Sequence, residues 1–389
     1  MTPRFSREPY HVAFYVPWMG PLLTRDVVPP TGGAETQVYL VARELARRGL
    51  RVCVIVFAVP GAEISPVVDH VHVLVRPAYR ARRRLVGKIL EAVRIRQALR
   101  AVESNVIVTR AAGPHVGLVA VFAKLAQRRF VYSSANISDF NFAWLAPKRR
   151  DQWLFRLGVR LADRVVVQTD EQVELCRRTF GREAERIGSI AEPGGPPAVP
   201  EAFLWIGRMV WYKRPLAFVD LARALPHASF RLVGVPVSGA HGGEELIAAL
   251  KEAAASTPNL DLIPPCPRRD LSDLTRRAVA MVNTADFEGM PNVFLEGWAH
   301  GVPALALTHD PDGVIERHRL GGFARGSTRR LVELADELWR QRDNRAELSA
   351  RCRDYVAVHH APGPVGARWE AVLDARPPAE TSRPLNERA

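Results

Sequence analysis

At 389 residues with 47% hydrophobic composition, the chain exceeds one ordinary α/β domain and fits two, each with its own core. A net charge of +13, with arginine well ahead of lysine, leaves three readings open: GC-rich coding bias, a nucleic-acid partner, or an anionic membrane surface. No run approaches the ~18 apolar residues of a membrane span, and the start MTPRFSREPYHVAFYV lacks a signal-peptide core, so a cytoplasmic protein is expected. Cys53, Cys176, Cys266 and Cys352 stand far apart without a C-x-x-C, which argues against a zinc site or disulfide framework and for buried small hydrophobes.

His11–Val16 is a first buried strand, followed by a Pro- and Gly-rich loop to Gly33. Ala34–Arg48 carries Val38, Leu40, Val41 and Leu45 at helical spacing, Gly49 ends it, and Arg51–Val59 is a second strand. Strand, glycine loop, helix, strand is a βαβ unit of a parallel sheet. The loop reads TGGAE rather than G-x-G-x-x-G, so a Rossmann dinucleotide site is not supported. Gly32 and Gly33 either admit a ligand to the backbone at a helix N-terminus or make an ordinary turn.

Val71–Val75 is a third strand. Tyr79 to Arg100 then reads as a strongly basic helix with Leu85, Ile89, Leu90, Val93, Ile95 and Leu99 mostly on one face. It either packs that face on the sheet or lies on anionic lipid. No aromatic residues interleave its arginines, which disfavours nucleic acid. Val106–Thr109 is a fourth strand, followed by Arg110. His115 opens a helix at the strands' C-terminal edge, where α/β ligands bind, as a substrate contact or a structural cap. The fifth strand, Phe130–Ser134, runs into SSANISD with Asn136 and Asp139. A helix at Asp151–Leu161, a strand at Arg164–Gln168 and a helix opening on Asp170, capped by Thr169 or Asp170, complete the first half. Proline and glycine crowd Ala191 to Ala202, which marks the linker.

The second half restarts with a strand at Phe203–Ile206 and the turn GRMVWYKRP. Arg208 and Lys213 flank that turn, as solvated cations or as a pair converging on a diphosphate. Phe230–Gly234 (strand), Glu244–Ala255 (helix), Leu260–Ile263 (strand), Leu271–Arg277 (helix) and Val279–Asn283 (strand) follow. Next comes Phe287–Leu307: a loop to Met290, a helix Pro291–His300 with Pro291 at its first position, and a strand Pro303–Leu307. The free N–H groups of that helix start suit an anion. Glu288 and Glu296 are eight residues apart, ~12 Å at helical rise, too wide for a glycosidase pair at ~5–9.5 Å. The spacing suits two ends of a longer ligand, each carboxylate accepting neighbouring hydroxyls, or simply two solvated glutamates. Asp310-Pro311-Asp312-Gly313 is a metal-type D-x-D or, with its Pro and Gly, a turn. Ser327–Arg340, Arg345–His359 and Pro364–Asp374 are helices, and the polar stretch Ala375–Ala389 is expected to be disordered.

The order loop glutamate, Gly, Pro, second glutamate and Gly-x-Pro, with GR-x4-KR earlier and GGAE in the first loop, resembles the retaining GT-B glycosyltransferases, especially family 4. The resemblance spans about Val12 to Trp369. It implies two doubly wound, Rossmann-like α/β domains facing a cleft. Residues 1–192 would bind the acceptor, 193–202 link, 203–360 bind the nucleotide-sugar, 361–374 return as a helix to the first domain, and 375–389 form a tail. It assigns the donor to Gly33, Arg208, Lys213, Glu288, Gly289, Met290, Pro291, Asn292, Val293 and Glu296. Arg208, Lys213 and Glu288 are catalytic, and Glu296 holds the ribose. The base is placed near Ile263–Pro265. Glu35, Arg110, His115, Asn136 and Asp139 fall on the acceptor side. Many members carry a sugar-contacting histidine where this chain offers Asn136 and Asp139. The family uses neither metal nor cofactor, and D-x-D is a mark of the other glycosyltransferase fold. The implied reaction is retaining transfer to a hydroxyl in polysaccharide or glycolipid synthesis, without nucleic acid. The enzyme would sit in the cytoplasm, with residues 79–100 on the inner face of the membrane. A nucleotide-sugar epimerase and a non-catalytic nucleotide-sugar binder are the alternatives.

Overall fold

The computed structural model describes residues 9–24, 32–77, 85–141, 148–236 and 244–374. Thr31 of the glycine loop, residues 79–84 of the basic segment and the tail 375–389 lie outside them.

The first sheet takes its strands from β1 (Tyr10–Tyr15), β2 (Val52–Phe57), β3 (Val67–Val68), β4 (Val71–Arg76), β5 (Ser104–Arg110), β6 (Arg129–Ser133), β7 (Arg164–Val167) and β8 (Glu185–Arg186). Their order is β3-β4-β2-β1-β5-β6-β7-β8. Every pairing is parallel except the short β3–β4 ladder, an addition the periodicity did not signal. Alternate side chains of β1 enter different cores. Val12 and Phe14 pack with α1 (Gly33–Arg47), whereas Ala13 and Tyr15 pack with α2 (Leu85–Arg100), α3 (Pro114–Leu125), α4 (Arg149–Leu161) and α5 (Asp170–Phe180). Covering both faces explains why these strands read as unbroken apolar runs.

The second sheet orders its six parallel strands β11-β10-β9-β12-β13-β14. They are β9 (Ala202–Arg208), β10 (Phe230–Val235), β11 (Leu260–Ile263), β12 (Ala278–Asn283), β13 (Ala304–Ala306) and β14 (Gly321–Phe323). Phe203, Trp205, Phe218 and Phe230 fill one face with α6 (Pro215–Ala224), α7 (Glu244–Ala255) and, further on, α11 (Thr328–Arg340). Leu204, Met281, Phe294 and Trp298 fill the other with α8 (Arg268–Arg276), α9 (Asn292–Ala299), α10 (Val314–Arg317) and α12 (Ala346–His359). The expected pair of doubly wound domains is present. The last helix, α13 (Pro362–Leu373), leaves the second domain and buries Val365, Trp369, Val372 and Leu373 against α1. Arg48–Glu370 (2.7 Å) and a bond from Arg129 Nη1 to the Leu373 carbonyl (2.9 Å) hold it there.

Four expectations need correction. α8 begins at Arg268, three residues before Leu271, because the Pro267 carbonyl accepts from Asp270 and Leu271 and opens the helix early. Pro291 is the N-cap of α9 rather than its first residue: its ψ of 119° is extended although its φ of −65° suits either place. The apolar residues of α2 do not form one packed stripe. Ile95 and Leu99 are buried, but Ile89, Leu90 and Val93 are 57%, 47% and 43% exposed. Cys53, Cys176 and Cys352 are buried thiols, while Cys266 is only half-buried. Among the described residues no helix is long and apolar enough to cross a membrane.

Candidate active site

The parallel sheet sets β9 beside β12, so the loops leaving their C-terminal ends lie side by side. The β9 loop carries Arg208 and Lys213; the β12 loop carries Glu288. Thr284 Oγ1 donates to the carbonyls of Lys213 (2.7 Å) and Arg214 (2.9 Å), and Asp286 N donates to the Tyr212 carbonyl (2.9 Å). The Tyr212 ring stacks on Phe287 at 4.8 Å. Laced in this way, the loops pair the Lys213 ammonium with the Glu288 carboxylate, 75 positions apart. Asn283 Nδ2 donates to Glu288 Oε1 (3.3 Å), and Asn136 Nδ2, from the opposite domain, donates to Oε2 (3.4 Å). Glu288 is only 7% exposed, and these partners offset its desolvation. Arg208 stays exposed, donating to the Tyr212 hydroxyl at 3.0 Å.

Two glycines press the domains together. A Cβ on Gly289 would lie 2.7 Å from the Gln168 amide and 3.1 Å from the Ala135 carbonyl, and one on Gly33 would lie 2.6 Å from Asn292 Nδ2. The Asn292 amide donates to the Gly33 carbonyl (2.8 Å) and accepts from Gln37 (3.2 Å). The starts of α1 and α9 therefore meet across the cleft. Met290 and Pro291 are buried and Val293 is half-buried beside them. The Pro291 carbonyl accepts from Phe294 (3.1 Å) and Leu295 (3.4 Å), which leaves the first-turn N–H groups of Asn292 and Val293 facing the loop.

Glu296 projects from α9 with an exposed surface, yet α8 and the linker surround it. Desolvation raises its pKa, Arg268 opposes that, and Glu192 adds to it. Glu192 itself joins the domains, pairing with Arg43 of α1 (2.5 Å) and Arg268 of α8 (3.2 Å).

The first-domain side is a buried polar network. Arg110 closes β5 and donates to Ser133 Oγ (2.8 Å). With its amide turned to satisfy both neighbours, Gln168 accepts from Arg110 (2.9 Å) and donates to the Ala135 carbonyl (3.0 Å). Burial pushes the Arg110 guanidinium down to about 10 against the pull of Asp139, so it remains charged at neutral pH. Asp139 is turned inward, accepting from Tyr132 (3.0 Å), Ser134 (3.0 Å) and the Ala135 N–H (2.7 Å). It shapes the Asn136 loop from behind. Asn136 Oδ1 caps Ser138 N (2.9 Å). Burial lowers His115 to about 4, so its imidazole is neutral at pH 7, its ring 6.4 Å from that of Tyr15. The Glu35 carboxylate folds back over Gly32 and acts electrostatically on Arg110.

Comparison with known proteins places this geometry. The model of Glycosyltransferase Family 4 matches residues 31–191, and that of Glycosyl transferases group 1 matches residues 200–340. The chain belongs to the family 4/group 1 glycosyltransferases of the GT-B fold. A D-inositol 3-phosphate glycosyltransferase of Nocardiopsis dassonvillei is 26% identical over 377 residues, covering 84% of this chain and 86% of that protein. One from Thermobifida fusca is 28% identical over 251 residues; there the match spans about half of each chain, 56% and 54%. Among solved structures, Anabaena HepE in complex with UDP shares 16% identity and a TM-score of 0.69, covering 94% of this chain and all of that one (100%). Sucrose-phosphate synthase from Thermosynechococcus elongatus shares 16% identity and a TM-score of 0.74, covering 95% and 98%.

In this glycosyltransferase the Asp310-x-Asp312 carboxylates do not converge. Asp310 accepts from Ile315 N and Glu316 N, and Asp312 from Asp170 N and Glu171 N. Among the described residues no group of three or more His, Cys, Asp or Glu is arranged to hold a metal. The sequence reading overlooked Asn283, Gln168 and Gln37. The first two had a signal: each is a polar residue closing an apolar run, AVAMVN and RVVVQ, at the sheet edge where ligands bind.

Proposed function

We propose that this glycosyltransferase moves a sugar from a nucleoside diphosphate to an acceptor hydroxyl with retention at the anomeric carbon. The observation that carries the reading is the Lys213–Glu288 pair, set between the second domain's loops and Asn136 of the first. A diphosphate competes for Lys213 and reaches Arg208 and the N–H groups at the start of α9, where its growing negative charge is stabilised. Glu288, released from Lys213, then accepts from sugar hydroxyls, and Glu296 accepts from the ribose. The bond from the anomeric carbon to the phosphate oxygen breaks as the bond to the acceptor oxygen forms on the same face. The leaving phosphate oxygen takes the acceptor's proton. No protein base is needed, which agrees with a His115 whose pKa, pushed down to about 4 by burial, makes it a weak proton acceptor. Two cations and helix amides supply the charge that a divalent ion would otherwise supply, so we assign no metal or cofactor.

The likeness to structures solved with UDP and UDP-glucose supports a uridine diphosphate donor. For the acceptor we favour a lipid-linked or glycan hydroxyl at an anionic membrane face. The exposed Ile89, Leu90 and Val93 on a helix that also exposes Arg94, Arg96 and Arg100 support that place. A soluble phosphorylated cyclitol is the second reading, favoured by the relatives' specificity.

A thermal-shift series against UDP-, GDP- and ADP-sugars tests the donor, since a ligand of the native state raises its stability once its concentration exceeds Kd. The shift is expected with a UDP-sugar and reduced, at a fixed sub-saturating concentration, in Glu296→Ala and Arg208→Ala. An undiminished shift in both variants removes the site assignment. Release of an epimerised nucleotide-sugar without acceptor would replace transfer by epimerisation, and no turnover with any acceptor would leave a binding protein.

A further inference from the structure

The Asp310–Gly313 turn uses its two carboxylates in different domains. Asp310 accepts from Ile315 N (2.9 Å) and Glu316 N (3.2 Å), starting α10 in the second domain. Asp312 reaches across and accepts from the N–H groups of Asp170 (2.9 Å) and Glu171 (3.2 Å), the first turn of α5 in the first domain. The first N–H groups of a helix have no partner inside it. Here Thr169 Oγ1 serves Gln172 N (3.2 Å), and a residue of the other domain serves the two before it. A carboxylate at that end also meets the positive pole of the helix dipole. Arg186 stands 3.4 Å from Asp312 and 3.3 Å from Asp170, closing a charged ring in which the Asp312 side chain is only 5% exposed.

The backbone underlines the point. Asp312 lies at φ 52°, ψ 18°, a left-handed conformation that glycine adopts freely and other residues seldom do. An aspartate held there supplies something glycine cannot. What it supplies reaches the donor loop, because Gln168 and Gln172, flanking the start of α5, are the side chains against which Gly289 packs. From the other side His309 Nε2 lies 3.2 Å from the Gly289 carbonyl. The loop bearing Glu288 is thus clamped between α5 and the segment 309–312.

We propose that Asp312 is a positioning residue: an inter-domain strut that caps α5 of the first domain from the second and fixes the acceptor half against the donor loop. The inference rests on the cleft being the place of transfer, but its first readout needs no turnover.

Asp312→Gly relieves the left-handed backbone while deleting the strut, so both domains are expected to fold. By hydrogen exchange, the amides of Asp170 and Glu171 should exchange at least tenfold faster in Asp312→Gly, with that of Gln172 unchanged because Thr169 caps it. In steady state kcat should fall at least fivefold while the donor KM stays within twofold. Asp312→Asn, which keeps one accepting oxygen, should recover part of both effects. Unchanged exchange at Asp170 and Glu171, or an unchanged kcat, overturns the strut. Faster exchange at those two amides in a protein whose wild type transfers no sugar supports the strut and overturns the transfer reading instead.

Discussion

On the second-domain side of the cleft, charged groups stand on loops and hold partners that a ligand can replace: Lys213 on Glu288, Arg208 on a tyrosine hydroxyl. On the first-domain side the polar groups are turned inward. Arg110, Tyr132, Ser134, Asp139 and Gln168 bond mainly to one another, and Asn136 alone reaches Glu288. In the proposed function one wall exchanges its ion pairs with an anion, whereas the other is a scaffold bonded within itself that carries a neutral histidine. Chemistry should therefore be lost by mutating the first wall, and stability by mutating the second.

The widest gap is expected at Lys213. Lys213→Ala should lower kcat by about 10²–10³, the range for losing one group that stabilises developing charge, with folding intact by circular dichroism. An equal loss in Asn136→Ala would erase the contrast. Next is pH. His115 has a folded pKa of about 4, below the ordinary ~6.5. Between those values the unfolded chain binds more protons, so stability falls as pH falls through this window. The whole effect is about 3 kcal/mol, and urea titrations at pH 7 and pH 4.5 should show much of it, with His115→Asn flattening the difference. Asp139→Asn should cost about 2 kcal/mol by spoiling three bonds to a buried carboxylate, while leaving the thermal shift with donor unchanged. A stable variant that had lost transfer would move Asp139 to the ligand side. Glu296→Ala should weaken the donor about tenfold, ~1.4 kcal/mol, by calorimetric titration. The smallest effect is expected far from both walls. Ile89→Ser with Val93→Ser should reduce binding to vesicles containing anionic lipid about threefold, less than 1 kcal/mol, with weaker binding at high salt. Equal binding to neutral vesicles would remove the electrostatic part of that proposal.

The donor wall was legible because each of its motifs is local: Arg208 and Lys213 share one turn, and Glu288 and Glu296 share one loop and helix. Their mutual contact was not, since only the β9–β12 pairing brings residues 75 apart together. On the other wall, Arg110 and Asn136 were each visible near a strand end and Gln168 was passed over as a strand's last residue, but nothing local says that a carboxylate such as Asp139 faces inward. Pro291 misled by one place because its ring fixes φ and says nothing of ψ. The helix periodicity of α2 promised a stripe without revealing that Ile89, Leu90 and Val93 stay exposed while Ile95 and Leu99 are buried. The turn expected at Asp310–Gly313 said nothing of what its carboxylates hold, because spacing cannot show that two neighbouring carboxylates serve amides in different domains.

The packing of α13 on α1 has a consequence for how the protein is made. Trp369 and its neighbours emerge from the ribosome long after residue 191, so the first domain waits with part of its apolar surface uncovered until residues 362–373 are out. That interval is when a chaperone would find its target, and removal of residues 362–373 should prolong it indefinitely.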